Sequence, residues 1–187
     1  MTPNKIYPGM VDHTTVEFFV VENEEKIIQG GIVQDFSMAS YGVIQILREF
    51  IKADPIIEVE LKVMHPNSEL KRIRQLVRCR FGGLDMSPDI KDGVLQDGDY
   101  WPCPLRGSCR SEGILCRQPQ YKGKEITAEQ VKLMKLISSN MTNETIAEVI
   151  NKPMGSFHVM KRDLYKTLGG IQTKQEVALI AVFLNLI

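Results

Sequence analysis

The sequence lacks an apolar run long enough to cross a membrane. Its longest apolar stretch, residues 177–187, is interrupted by Asn185 and is shorter than the ~20 residues that a spanning helix needs. Residues 1–10 carry Lys5 without an apolar run after it, which is not the pattern of a secretory signal peptide. These absences predict a soluble, cytoplasmic protein with no membrane partner.

Familiar catalytic motifs are missing as well. The chain has no Gly-x-Ser-x-Gly, no His-Glu-x-x-His and no glycine-rich phosphate loop followed by Lys-Ser/Thr. Its histidines, His13, His65 and His158, are far apart in the sequence, and none is adjacent to a cysteine. Nothing singles out a cysteine nucleophile, so we expect no enzymatic activity.

An excess of one charge is also absent. The 23 Lys+Arg balance the 23 Asp+Glu, which gives no overall basic signature of a nucleic-acid binder. The sum conceals an asymmetry, because residues 122–187 hold 9 basic and 6 acidic residues (net +3), whereas the rest hold 14 and 17 (net −3). An anionic partner is therefore expected at the C-terminal part.

What is present is an ordinary globular composition, with 43% hydrophobic and 25% charged residues in a chain of 187. That length predicts one or two small domains. Residues 14–21 are rich in β-branched and aromatic side chains and predict a strand. Residues 27–36 predict a second strand or, because of Gly30-Gly31, a pair of strands joined by a turn.

The following segments complete an N-terminal domain over residues 1–81, whose role the sequence does not indicate. Helical spacing predicts a helix over 37–53, with Ser37 as its cap and Asp54-Pro55 at its end. Residues 56–64 alternate like a strand, and residues 73–81 are ambiguous. The expected fold class is α+β: a mixed α/β domain with a cysteine-rich loop segment, then an all-α four-helix domain.

The loop segment, residues 82–123, is dense in glycine, proline and aspartate and shows no periodicity. A structureless loop of about 40 residues is unusual in a compact domain unless something holds it together. It contains Cys103, Cys109 and Cys116, with Cys79 upstream. Cysteines in a cytosolic chain indicate metal or redox chemistry before structural disulfides.

Four thiolates suit a tetrahedral Zn²⁺, so we predict a zinc site at Cys79, Cys103, Cys109 and Cys116. The Cys-x5-Cys-x6-Cys spacing is wider than the usual zinc knuckle, which leaves open an iron–sulfur cluster, ordinary thiols without metal, or a disulfide. Nearby arginines would offset thiolate charge or bind phosphate: Arg78, Arg80, Arg106, Arg110 and Arg117.

The pattern becomes strongly helical over residues 124–187. Thr127-x-x-Gln130 is a capping box, Thr142 is a helix cap, and Gly169-Gly170 is typical of a helix end. A final helix is predicted over 174–187. The two central helices, separated by a short break over residues 151–155, form a candidate helix-turn-helix.

The second of these helices divides into two faces. Apolar residues that recur at helical spacing are expected to pack inward: Phe157, Met160, Leu164 and Leu168. The opposite face carries side chains that can present hydrogen-bonding groups to a DNA major groove: Ser156, His158, Val159, Arg162 and Lys166.

These motifs resemble the C-terminal helix-turn-helix domain of LuxR-type (GerE-like) bacterial transcription regulators. The resemblance covers residues 124–187, about a third of the chain. It rests on Ile126-Thr127-x-x-Gln130, Thr142-Asn143, Ile146-Ala147-Glu148, Leu164-Tyr165-x-x-Leu168-Gly169 and Thr173-Lys174-x-Glu176-Val177. The family usually has Lys or Arg at the position of His158, and a serine cap where this chain has Pro153.

The resemblance implies roles for individual residues. Base edges would be contacted from the positions of His158, Val159 and Arg162. Phosphate contacts would come from the positions matching Thr142, Asn143, Ser156 and Lys166.

The sequence therefore predicts a sequence-specific, DNA-binding transcription regulator. Its expected partners are double-stranded DNA, RNA polymerase, and a second copy bound through the C-terminal helix, since a helix apolar on nearly every face needs burial. Packing of that helix on the N-terminal domain is the alternative to the dimer. The alternatives are a non-catalytic adaptor and a sigma-factor-like region, both of which would use the helical domain to bind protein.

Overall fold

The computed structural model describes residues 5–98, 100–184 and 186–187. The chain divides into two compact units, Met1–Arg117 and Gln118–Ile187. Helices and antiparallel strands occur together, which confirms the predicted mixture of α and β structure. The division after Arg117 differs from the composition boundaries after residues 81 and 123, because most of the cysteine-rich segment is continuous with the first unit.

The first unit is built on an antiparallel sheet with the strand order β3-β2-β1-β4-β5. The strands are β1 (Thr15–Val21), β2 (Glu24–Gln29), β3 (Ile32–Asp35), β4 (Ile90–Lys91) and β5 (Val94–Leu95). Gly30 and Gly31 join β2 to β3 with φ of 60° and 82°. Positive φ at both central residues is the hairpin geometry that matches strand twist. The turn-joined pair is thus the predicted alternative that forms, with its first strand beginning at Glu24 instead of residue 27.

Three helices pack on this sheet: α1 (Tyr41–Ala53), α2 (Pro55–Met64) and α3 (Glu69–Arg80). The strand predicted over 56–64 is wrong, since Asp54 caps α2 by accepting from the amides of Ile56 and Ile57. Pro55 suits a first helical position because it has no amide hydrogen to leave unbonded. The predicted cap of α1 is also wrong: Ser40, not Ser37, accepts from the Val43 amide.

The core of this unit is organised around Phe18 on β1. Its ring lies 5.8 Å from that of Phe36 and 6.0 Å from that of Phe81, measured between centroids, and all three rings are fully buried. Leu47 from α1 and Leu76 from α3 are buried in the same cluster. The apolar stripes of the helices therefore cover one face of the sheet.

The second unit consists of a short hairpin followed by helices. The hairpin pairs β6 (Gln120–Tyr121) with β7 (Lys124–Glu125), and the helices are α4 (Ala128–Ile137), α5 (Asn143–Val149), α6 (Met154–Thr167) and α7 (Lys174–Phe183). Thr127 and Gln130 make both bonds of the predicted capping box. In the described part of the chain, no helix is long and apolar enough to cross a membrane.

Candidate nucleic-acid interface and cysteine cluster

The turn between α5 and α6 is fixed by its backbone. Thr142 caps α5 by accepting from the Thr145 amide at 3.3 Å. Asn151 takes φ of 54°, a left-handed conformation that asparagine tolerates better than most residues. The Lys152 amide then donates to the Ala147 carbonyl at 2.9 Å, and Pro153 starts α6 without a side-chain cap.

Helix α6 has a buried face and an exposed face. The buried face consists of Phe157 and Leu164, together with Leu168 just after the last helical residue; all three are fully buried. Met160 on the same face is half-buried. The side chains predicted to face DNA are all exposed: Ser156, His158, Val159, Arg162 and Lys166. Because Val159, Arg162 and Lys166 follow one another at intervals of three and four residues, they form one stripe along the helix.

A groove with a volume of about 460 Å³ runs beside this stripe. Its lining combines α6 with the residues that follow it: His158, Lys161, Arg162, Tyr165, Lys166, Gly170, Ile171 and Gln172. The Lys161 ammonium lies 5.3 Å from the centroid of the Tyr165 ring. Partial burial, and then the charge of Lys174, lower the pKa of Lys161. The groove thus concentrates positive charge, which suits an anionic ligand.

The remaining predicted contact residues lie at the start of α5. Thr142 is exposed, but its hydroxyl already serves as the helix cap. Asn143 is half-buried and its amide oxygen is enclosed by protein. Sequence reasoning missed Lys161, Tyr165 and Gln172 as groove residues. Lys161 and Tyr165 are one turn apart on α6, a spacing that would have placed them together.

Helix α7 presents an apolar surface to solvent. Leu179, Val182 and Phe183 are 71%, 62% and 76% exposed, whereas Val177 and Ala181 are fully buried. The helix is therefore buried on one face and exposed and apolar on another. Exposed large apolar side chains that lie together are typical of an interaction surface.

The cysteines all belong to the first unit and are free thiols. Cys79 lies in the last turn of α3 and is half-buried, with the Gln75 amide donating to its sulfur at 3.1 Å. Cys103 and Cys109 are half-buried, and each carbonyl closes a turn by accepting from Arg106 and Glu112 respectively. Cys116 is buried.

Two arginines hold the segment that carries these cysteines. Arg106 donates to the carbonyls of Trp101 and Arg117, both at 3.0 Å, which folds the segment back on itself. Arg80, next to Cys79, donates to the carbonyls of Leu115 and Ile114 at 3.0 and 2.9 Å. Hydrogen bonding thereby brings the end of α3 to the residues just before Cys116.

The pKa of the Cys79 thiol reflects its burial at the end of α3. Burial raises its pKa to about 11; the Gln75 hydrogen bond opposes the rise, and Cys116, Cys103 and Cys109 add to it through space. The electrostatic influence of one thiol on the pKa of another acts over distances longer than a metal–sulfur bond. As they stand, no three His, Cys, Asp or Glu side chains among the described residues are grouped to hold a metal ion. The zinc site predicted at the four cysteines is therefore not formed among the described residues and stays a prediction.

Comparison of the chain with protein-family models, with curated proteins and with solved structures gave no match.

Proposed function

We propose that this protein is a cytoplasmic, sequence-specific DNA-binding transcription regulator that inserts α6 into the major groove. The observation that carries the proposal is the exposed stripe of Val159, Arg162 and Lys166 beside the cationic groove. Major-groove recognition needs a helix with one packed face and one face of exposed hydrogen-bonding side chains. The sequence resemblance to LuxR-type domains supports the same orientation.

The groove residues would serve the DNA backbone. Lys166 is the last residue of the stripe, Lys161 lies beside the stripe in the groove, and Lys174 at the start of α7 adds a third cation near Lys161. Phosphate contacts of this kind supply most of the sequence-independent affinity and release counterions. His158 and Arg162 would contact base edges, Arg162 through the two-pronged hydrogen bonding that guanidinium forms with guanine.

We further propose that α7 pairs with α7 of a second copy. The surface formed by Leu179, Val182 and Phe183 carries no charge, and a two-fold interface needs a patch that complements itself. An uncharged apolar patch meets that condition because it has no like charges to repel. A two-fold pair would present two copies of α6 to a palindromic site.

The test is selection from a pool of randomised duplexes with the full-length chain, followed by titration of the enriched duplex at several salt concentrations. We expect a shared motif and an affinity that falls as salt rises, with a slope of about −0.9 for each phosphate contact. Absence of enrichment, together with salt-independent or undetectable binding, would overturn the proposal and favour the protein-binding alternative.

A further inference from the structure

A small cavity lies in the first unit where the three helices α1, α2 and α3 meet. Its volume is about 40 Å³. A water molecule needs about 10–15 Å³ of such space, so the cavity has room for about three atoms of the size of oxygen. Buried Ile51 and Ile73 form the apolar part of its lining. The rest of the lining is charged: Arg48, Lys52, Glu58, Lys62, Glu69 and Arg72.

Positive charge is in excess in this lining. Four of the six charged side chains are cations and two are carboxylates, which gives a net charge of +2. Each carboxylate already has a cationic partner. Arg48 donates to both oxygens of Glu69, at 2.8 and 3.0 Å, and the Lys62 ammonium lies 2.8 Å from a Glu58 oxygen. Two cations of the lining are therefore left over.

The two surplus cations are Lys52 and Arg72, neither of which forms an ion pair with a carboxylate in the described part of the chain. Lys52 lies exposed in the last turn of α1. Arg72 is half-buried, and its Nη1 donates to the carbonyls of His65 and Pro66 at 2.9 and 3.1 Å. These bonds hold the guanidinium through one nitrogen, so its other nitrogens can still donate to a ligand.

The excess of positive charge is local. Residues 1–121 carry 14 basic and 17 acidic side chains, a net charge of −3, so a long polyanion would be repelled over most of this part of the chain. A small dianion suits the cavity better, because two negative charges neutralise the lining. A phosphate monoester has a charge of about −1.5 to −2 at pH 7 and three oxygens that accept strong hydrogen bonds.

We propose that this cavity binds the phosphoryl group of inorganic phosphate or of a small phosphate monoester, with Lys52 and Arg72 as its ligands. A guanidinium binds two phosphate oxygens at once, and an ammonium adds a compact charge. Arg48 and Lys62 keep the two carboxylates paired, which reduces their repulsion of a bound dianion. The volume admits a phosphoryl group alone, so the alcohol part of a monoester would extend into solvent.

Calorimetric titration of the full-length chain with inorganic phosphate tests the proposal. Sodium chloride keeps the ionic strength constant, so that screening of exposed charges is the same throughout. We expect saturable binding. A parallel titration with glycerol 1-phosphate distinguishes the two sources of the phosphoryl group: tighter binding than that of phosphate identifies a monoester, and weaker binding identifies free phosphate. Absence of binding by both compounds would overturn the proposal.

Variants locate the site. Lys52→Gln comes first because Lys52 is exposed and the fold should survive its loss, and it should weaken phosphate binding about tenfold by removing a charge-assisted hydrogen bond. Lys71→Gln removes an equal charge from an exposed position on α3 outside the cavity and should bind phosphate like the wild type. Equal affinities of the two variants would overturn the proposal, since phosphate would then bind elsewhere, as in the groove beside α6. These titrations need no DNA, so they are independent of the proposed function.

Discussion

The side-chain Nε of Arg80 donates to the carbonyl oxygen of Leu115 across 3.0 Å, and a second nitrogen of the same guanidinium binds the carbonyl of Ile114. Arg80 ends α3, whereas Leu115 belongs to the cysteine segment and to the core. A single buried side chain thus ties a segment of little regular structure to the helical layer.

Replacing Arg80 by methionine should destabilise the first unit. The substitution keeps an apolar stem but leaves the carbonyls of Leu115 and Ile114 without their donor, at a cost of about 1–3 kcal/mol for each carbonyl that stays buried. Denaturant unfolding measures the change. Arg110→Ala is the control, because Arg110 is exposed and its ion pair with Glu60 should contribute little. Equal effects of the two variants would contradict the role given to Arg80.

Gly82→Ala should displace the only tryptophan. A Cβ at Gly82 would lie 2.5 Å from Cε2 of Trp101 and 2.7 Å from the Arg78 carbonyl, closer than atoms pack. The chain has one Trp, so its fluorescence reports on the cysteine segment alone. We expect a shift in emission for Gly82→Ala. Gly42→Ala in α1 meets nothing within 4 Å and should leave the emission unchanged.

Acid should weaken the first unit through Glu25. Burial acts to raise the pKa of Glu25, but hydrogen bonds and charges from Arg74 and Arg78 outweigh it and hold the pKa below the usual 4.5. Such a carboxylate stabilises the fold above its unfolded-state pKa, and the contribution is lost as pH falls through the lower folded value. The loss should therefore begin near pH 4.5 and continue below it.

Unfolding measured at pH 7 and at pH 3 tests this dependence. Glu25→Gln should lower stability by about 1–2 kcal/mol at neutral pH, because the two partly exposed arginines lose a charged acceptor, and stability should then fall less steeply between pH 7 and pH 3. Glu24→Gln alters an exposed neighbour and should keep the wild-type profile. If Glu25→Gln loses as much stability between pH 7 and pH 3 as the wild type does, another carboxylate is responsible for the acid sensitivity.

The sequence predicts an element of this fold well when the contact that determines the element joins residues close together in the chain. The helices of the second unit follow from signals such as the Thr127–Gln130 capping box, whose two partners are three residues apart. Helix α2 is mistaken for a strand because residues 56–64 alternate, while the buried pair Ile57 and Leu61 also fits a helix. Only the cap at Asp54 separates the two interpretations.

The candidate sites divide in the same way. Exposure of Arg162 and burial of Phe157 follow from helical periodicity alone. The placement of the residues just before Cys116 depends on Arg80 reaching Leu115, which is 35 positions away, and no local pattern announces such a contact. Sequence therefore predicts which cysteines to consider, but not where the fold places them.

A charge on the exposed face of α7 should separate the proposed dimer. Leu179→Glu places a carboxylate at a position that is 71% exposed in the isolated chain, so folding should survive. In a two-fold interface the same change brings two carboxylates together in an apolar contact. Sedimentation analysis should show a dimer for the wild type and a monomer for Leu179→Glu. Val94→Glu, exposed in the first unit, should remain dimeric; dissociation of both variants would argue against α7 as the contact.

Single substitutions on α6 should distinguish base contacts from phosphate contacts. Arg162→Ala should cost about 1–3 kcal/mol on the selected duplex and relax the preference at one base position, because base-edge hydrogen bonds carry sequence information. Lys166→Ala should weaken all duplexes alike and reduce the salt slope by about one. Lys132→Ala removes an equal charge from an exposed position on α4, outside the groove, and should leave affinity and slope nearly unchanged. If Lys132→Ala weakens binding as much as Lys166→Ala does, general attraction to positive charge, not insertion of α6, accounts for the binding.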